Sequence, residues 1–141
     1  MVVDVIAYGF ALLIFVVLDA IWLGNMANAI YKPVLGDILT DHLRIAPVIA
    51  FYLMYPLGVV IFAIAPALKA GSFTPALIYG ALFGLFTYAT YDLTNFATLR
   101  NWTMQITVID VLWGAFATAT TATLAYLAAQ GLASYFGLPT R

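Results

Sequence analysis

Cysteine is absent from this 141-residue chain, so disulfides, thiolate nucleophiles, iron–sulfur clusters and thiolate zinc sites are excluded. Charged residues are also scarce, at 8% of the sequence against about 25% in a soluble domain. The formal net charge of −1 lacks the basic excess that nucleic-acid binding requires. The sequence has neither a phosphate-binding glycine loop nor a nucleophile–base motif. A soluble globule, a thiol enzyme and a nucleic-acid-binding protein are therefore excluded.

Apolar residues make up 65% of the chain, and they fall into four stretches long enough to cross about 30 Å of hydrocarbon. Backbone polar groups have no hydrogen-bonding partner in lipid, so each crossing stretch must be a helix. Short turns between the later stretches make their helices antiparallel neighbours. The sequence thus predicts an all-α membrane protein, a single domain over residues 1–141 in which four transmembrane helices form an antiparallel bundle. The expected helices span about 5–25, 45–68, 75–99 and 103–130.

The first two predicted helices are joined by a longer segment, residues 26–44, that mixes polar and apolar side chains. Tyr31, Lys32 and Asp37 occur there among Leu35 and Leu39. This mixture is typical of an amphipathic segment that lies on the membrane surface. A solvated loop with incidental leucines is the alternative.

The orientation in the membrane follows from the positive charges near the helix ends. Because successive helices reverse direction, segment 26–44 and the turn at Arg100 lie on one side, and both chain termini lie on the other. The Lys and Arg residues divide as Lys32, Arg44 and Arg100 on the first side against Lys69 and Arg141 on the second. The excess of such residues on the cytoplasmic side of membrane proteins places segment 26–44 in the cytoplasm. Dual topology is the alternative if Arg100 is paired within the protein.

Three aspartates in the predicted helices lie at a common depth. Asp19, Asp92 and Asp110 each lie roughly 9–10 Å below the surface nearest segment 26–44, judged from their sequence distance to the helix ends at 1.5 Å per residue. An aspartate in lipid costs on the order of 3 kcal/mol, so such residues face the bundle interior and are functional by default. We expect the three to form an acid–base or proton-carrying cluster, with Arg100 as the nearest counter-charge to Asp92.

Other side chains near these acids complete the candidate site. Gly80 and Gly84 share a helix face with Asp92, which indicates that a close helix contact carries the acid. Tryptophans one turn from an aspartate are expected to form pocket walls and to donate their indole N–H groups. The residues expected to bind a ligand are Trp22, Tyr88, Tyr91, Asn95, Arg100 and Trp113. Alternatively, these polar groups serve only to hold the helices together.

Three segments carry a resemblance to a known family. They are LDAIWLG at 18–24, GALFGLFTYATYDLTNFATLRNW at 80–102 and VIDVLWG at 108–114. The chain resembles the bacterial membrane-protein family catalogued as domain of unknown function 2177. The resemblance implies a four-helix protein of the bacterial inner membrane and singles out Asp19, Trp22, Tyr91, Asp92, Asn95, Asp110 and Trp113. It implies no particular reaction, substrate or cofactor. Thr103 departs from the pattern, in which proline is expected after the tryptophan.

The favoured function is the binding or processing of a lipid or another amphiphilic small molecule. In an enzyme of this kind, a protonated aspartate would act as general acid and an ionised one as general base. A proton-coupled transporter working as a homodimer is the first alternative, although transporter sites usually lie at the membrane midplane. An accessory subunit of a larger membrane complex is the second. No Asp-Asp or Glu-x-x-His spacing supports a metal site, and no cofactor is expected.

Overall fold

The computed structural model describes residues 1–139, and within that range the chain is helical and contains no strand. Helix α1 spans Val2–Met26 and continues through a π-helical turn at Ala27–Tyr31, a short helix α2 at Lys32–Leu35 and a 3-10 turn at Gly36–Ile38. Helix α3 (Ile45–Val59) passes through a second π-helical turn (Val60–Ile64) into α4 (Ala65–Ala70). Helices α5 (Thr74–Thr98) and α6 (Met104–Tyr135) complete the described chain.

Three continuous helical stretches are long and apolar enough to cross a membrane. They are Val2–Ile38, Ile45–Ala70 and Met104–Tyr135. Helix α5 has a comparable length of 25 residues, but its threonines, Asp92 and Asn95 make it less apolar than these three. The predicted all-α class and membrane character are therefore confirmed.

Helices α5 and α6 pack antiparallel at backbone distance because glycines line their contact. A Cβ atom placed on Gly80 would lie 2.9 Å from the Cβ of Ala122, and one placed on Gly84 would lie 2.1 Å from the carbonyl oxygen of Gly114. Residue numbers along the contact rise on one helix as they fall on the other, as antiparallel pairing requires. Two turns beyond Gly84, this close approach brings Asp92 opposite α6.

The helices are tightly packed at the end of the molecule that holds the amino terminus. Small residues of α1, such as Ala7 and Ala11, and of α6, such as Ala125 and Ala129, are fully buried and let these helices approach closely. Phe15 of α1 is also fully buried, with its ring centroid 4.7 Å from that of Tyr55 in α3. Open space is therefore concentrated at the opposite end.

The segment after α1 is held over the turn that joins α5 and α6. Leu35 is buried against Trp102 and Ile106, which lie in that turn and at the start of α6. The hydroxyl oxygen of Thr103 accepts a hydrogen bond from the Ile106 backbone N–H at 3.2 Å, so Thr103 is the N-cap of α6. Thr103 thus caps the start of α6 with a side-chain hydrogen bond, which a proline at the same position could not form.

Candidate functional site

A cavity of about 910 Å³ lies where the segment after α1 meets α3, α5 and α6. Its polar and aromatic lining consists of Asp19, Trp22, Tyr31, Lys32, Phe51, Tyr55, Thr87, Tyr88, Tyr91, Asn95, Trp102, Asp110 and Trp113. All three tryptophans of the chain are in this lining. The structure therefore brings two of the three predicted aspartates, and five of the six predicted ligand-binding residues, to one cavity.

Asp110 is held by a chain of hydrogen bonds that links three parts of the molecule. The Tyr31 hydroxyl donates to Asp110 Oδ1. The indole Nε1–H of Trp22 donates to the same tyrosine oxygen at 3.0 Å. Trp22 also stacks on Trp113, with ring centroids 4.4 Å apart and planes 7° from parallel. The π-helical turn that ends at Tyr31 aligns this residue with the acid, in keeping with the frequent occurrence of such turns at functional sites.

Asp19 has a separate set of partners on the α3 side of the cavity. The Tyr52 hydroxyl donates to Asp19 Oδ2 at 2.5 Å. The Trp113 indole nitrogen is directed towards the same carboxyl group, although it does not reach hydrogen-bond geometry. Asp19 is 7% exposed, so its remaining acceptor capacity faces the cavity rather than bulk solvent.

Asp92 lies behind the cavity wall and is fully buried. Its electrostatic neighbour is the carboxyl group of Asp110. The two carboxyl groups lie within hydrogen-bonding reach of each other, and among residues 1–139 no hydroxyl, amide or indole donor reaches either Asp92 oxygen. Asp19 lines the same cavity as Asp110 and is an electrostatic neighbour of it, so the three predicted aspartates lie near one another although Asp19 has its own tyrosine partner. In the described part of the chain, no three acidic or imidazole side chains are spaced to hold a metal ion.

Arg100 does not reach the site. It is exposed, it is not in the cavity lining, and in residues 1–139 it makes no ion pair with Asp92. Helix α5 ends at Thr98 and Leu99 is extended, so Arg100 leaves the helical register that would have placed it two turns above Asp92. The cation in the lining is instead Lys32, which is exposed at the cavity rim.

The hydroxyl groups of three tyrosines complete the site, and none of them was among the predicted site residues. Tyr31 and Tyr52 bond the two cavity carboxyl groups. The Tyr55 hydroxyl contacts Thr118 Oγ1 at 2.7 Å and Thr87 Oγ1 at 3.2 Å, and Tyr55 and Thr87 both line the cavity. The sequence feature that could have pointed to these residues is a tyrosine within an otherwise apolar stretch, because a buried tyrosine hydroxyl needs a hydrogen-bond partner.

Replacing Tyr31 with phenylalanine is expected to loosen the segment after α1. The change leaves Asp110 Oδ1 without its donor and the Trp22 N–H without its acceptor, at a cost of about 1–3 kcal/mol. Amide hydrogen exchange in residues 27–39 should accelerate by about tenfold, the equivalent of 1.4 kcal/mol. Tyr79→Phe, at an exposed position of α5, is the matched control and should leave exchange unchanged. Equal exchange in Tyr31→Phe and wild type would show that this hydrogen-bond chain does not hold the segment.

Fold and site together define an all-helical integral membrane protein with an acidic, aromatic cavity at one end of its helices. The chain belongs to the family described as predicted membrane protein (DUF2177), whose model matches residues 4–127. The resemblance found in the sequence is thereby confirmed. No curated protein and no solved structure matches the chain significantly.

Proposed function

We propose that the protein binds an amphiphilic small molecule, a lipid or a lipid-like compound, in the cavity at the end of a four-helix transmembrane bundle. We assign it to the bacterial inner membrane, with the segment after α1 at the cytoplasmic surface. The observation that carries the proposal is the composition of the cavity lining. The lining combines two carboxyl groups and several aromatic rings with the aliphatic side chains Leu23, Leu35, Ile38, Leu39, Leu43 and Leu99.

The distribution of side chains on α5 supports its assignment as the fourth membrane-crossing helix. Its 25 residues reach about 37 Å, more than the hydrocarbon thickness. Its small and acidic residues Ala76, Gly80, Gly84 and Asp92 are buried. Its exposed side chains include Leu77, Ile78, Leu82, Phe86, Leu93 and Phe96. A helix that buries its carboxyl group and exposes large apolar residues suits a lipid environment, and the exposed hydroxyls of Thr90, Thr94 and Thr98 each donate to a backbone carbonyl of their own helix.

The size of the cavity and its aliphatic lining suit an amphiphile better than a small polar solute. A volume of about 910 Å³ is near the upper end of the range of about 300–1,000 Å³ for small-molecule sites. Such a space accommodates a headgroup beside Asp19 and Asp110 together with part of a hydrocarbon chain. The leucines of the segment after α1 would cover that chain.

A second cavity supports a lateral route for the hydrocarbon chain. This cavity, of about 460 Å³, lies between α1 and α3 and shares Asp19, Leu23, Leu43 and Phe51 with the first. Its other lining residues are Pro47, Val48 and Tyr52. A ligand with its headgroup at Asp19 would thus extend its chain between the two helices towards lipid.

Binding is favoured over conduction by the packing below the cavity. Phe15, one turn before Asp19 on α1, is fully buried, as are Val59 and Ile64 on the opposing helix. These large side chains fill the bundle interior between the cavity and the end that holds the amino terminus. The polar cavity is therefore a closed-ended site in this conformation.

The tryptophan fluorescence of the protein tests the proposal directly, since every tryptophan lines the cavity. The protein is reconstituted in phosphatidylcholine nanodiscs, and ω-bromo alkyl amphiphiles with hydroxyl, sulfate or amino headgroups are added in turn, because bromine quenches nearby indoles. The expected result is quenching that saturates at a low mole fraction for at least one headgroup. Phe51→Ala, which truncates a side chain shared by both cavities, should weaken binding, and Leu13→Ala, a lipid-facing change on α1, should not. Quenching that only rises in proportion to the bulk mole fraction, for all three headgroups, would refute the proposal.

A further inference from the structure

The charges of the cavity are unbalanced. Asp19 and Asp110 line it, and Asp92 lies directly behind Asp110. The lining contains a single cationic side chain, Lys32, which is exposed at the rim and forms no ion pair within residues 1–139. Buried carboxyl groups are stabilised by a partner of opposite charge, and none is supplied by the described part of the chain.

The hydrogen bonds of the described residues leave acceptor capacity on both cavity carboxyl groups. The Tyr31 hydroxyl donates to one oxygen of Asp110, and the Tyr52 hydroxyl donates to one oxygen of Asp19. The Trp22 N–H is used by Tyr31. No hydroxyl, amide or indole donor of residues 1–139 reaches the fully buried Asp92, which faces the carboxyl group of Asp110 instead. The tyrosine hydroxyls thus occupy one oxygen of each cavity carboxyl group, and a ligand that brings N–H donors and a positive charge can bond to these groups from the cavity side.

Aromatic rings supply a second form of attraction for the same kind of group. The stacked Trp22 and Trp113 form one wall of the cavity, and the Tyr88 ring covers Gly114, one turn after Asp110. The faces of such rings attract cations and repel anions. The carboxyl groups and the aromatic wall of the cavity thus both favour a positively charged ligand.

On these grounds we infer that the bound amphiphile carries an ammonium headgroup. The inference rests on the proposed function and specifies its ligand class. The ammonium group lies against Asp110, with Asp92 behind it adding to the negative potential, and the hydrocarbon chain lies along the leucines of the segment after α1. An amphiphile whose headgroup carries only negative charge, such as an alkyl sulfate, is rejected by the same carboxyl groups.

The ω-bromo alkyl series in neutral nanodiscs also tests this inference. The amine should half-saturate the tryptophan quenching at a mole fraction at least tenfold below that of the alcohol, and the sulfate should bind most weakly. Asp110→Asn should abolish the preference for the amine while the alcohol still binds. If Asp110→Asn fails to fold, Asp92→Asn provides the test instead. It leaves the Tyr31 contact to Asp110 in place and should reduce the preference for the amine. Asp41→Asn is the charge-matched control, because Asp41 is exposed in the connection between the segment after α1 and α3. It should preserve the preference for the amine.

The possible failures are distinguishable. Saturable quenching with equal affinity for amine, alcohol and sulfate would overturn the ammonium assignment and leave the amphiphile site intact. Stronger binding of the alcohol than of the amine would also overturn the ammonium assignment and leave the amphiphile site intact. It would mean that the aspartates are protonated. Absence of saturable quenching for every headgroup would overturn both the ammonium assignment and the proposed function.

Discussion

Replacing Gly84 with alanine is expected to destabilise the protein by about 3 kcal/mol, which corresponds to a decrease of about 10 °C in Tm. The added methyl group would lie 2.1 Å from the carbonyl oxygen of Gly114 and 2.6 Å from Thr118 Oγ1. The nearer of these atoms belongs to the backbone, so it cannot rotate away, and α5 and α6 must separate. A thermal unfolding curve of the purified protein in mild detergent measures the effect.

Gly131→Ala is the matched control for this prediction. Gly131 is also a glycine within a helix, but a Cβ atom placed on it has no neighbour within 4 Å. Alanine has the higher helix propensity, by up to about 1 kcal/mol, so Gly131→Ala should leave Tm unchanged or raise it slightly. If Gly84→Ala were as stable as Gly131→Ala, the result would contradict the close α5–α6 contact that positions Asp92.

Asp92→Asn is expected to separate stability from binding. Asp92 is fully buried, and within residues 1–139 its carboxyl group meets the carboxyl group of Asp110 rather than a hydroxyl, amide or indole donor, so we expect it to contribute little to holding the helices together. Replacing it with a neutral amide of similar shape should leave Tm unchanged or raise it, because an aspartate inside the membrane costs on the order of 3 kcal/mol. The affinity for the ω-bromo alkylamine should fall by at least tenfold, since the Asp110 carboxyl group loses its acidic partner.

The opposite pattern would support the purely structural alternative raised by the sequence. If Asp92 only held helices together, Asp92→Asn would lower Tm by an amount comparable to the loss of a buried hydrogen-bonded group and leave quenching by the amine unchanged. Asp4→Asn is the control, because Asp4 lies at the other end of α1, where it pairs with the terminal amino group at 2.8 Å. It should leave binding of the amine unaltered.

Helix positions and the pairing of Asp92 with Asp110 follow from simple sequence rules. Apolar stretches of membrane-crossing length predict the helices, and the structure has a helix over each of the four expected ranges. Glycines spaced by four residues ahead of Asp92 predict that α5 meets its neighbour closely on the face that bears the acid. Depth along each helix predicts that Asp110 lies opposite. These rules depend only on helix geometry, which the sequence determines locally.

The rest of the site depends on contacts that helix geometry does not determine. Sequence depth predicts that the three acids lie near one another, but it does not predict that Tyr52 of α3 donates its hydroxyl hydrogen to Asp19. The position of Tyr31 depends on a π-helical turn, in which one additional residue per turn changes the direction of every later side chain. Arg100 was expected to lie near Asp92 because it follows two helical turns along the chain, but Leu99 is extended after the end of α5 at Thr98, and Arg100 is exposed outside the cavity lining.

The most direct test of the central claim is a native mass spectrum of the protein purified from its own membranes in mild detergent. The amphiphile-binding account predicts that the 15.3 kDa chain retains an additional small mass and that Asp110→Asn loses it, while Asp41→Asn keeps it. Fragmentation of the retained species would then reveal whether its headgroup contains an amine. A spectrum of the wild-type protein with no additional mass, or with the same additional mass on Asp110→Asn, would contradict the account.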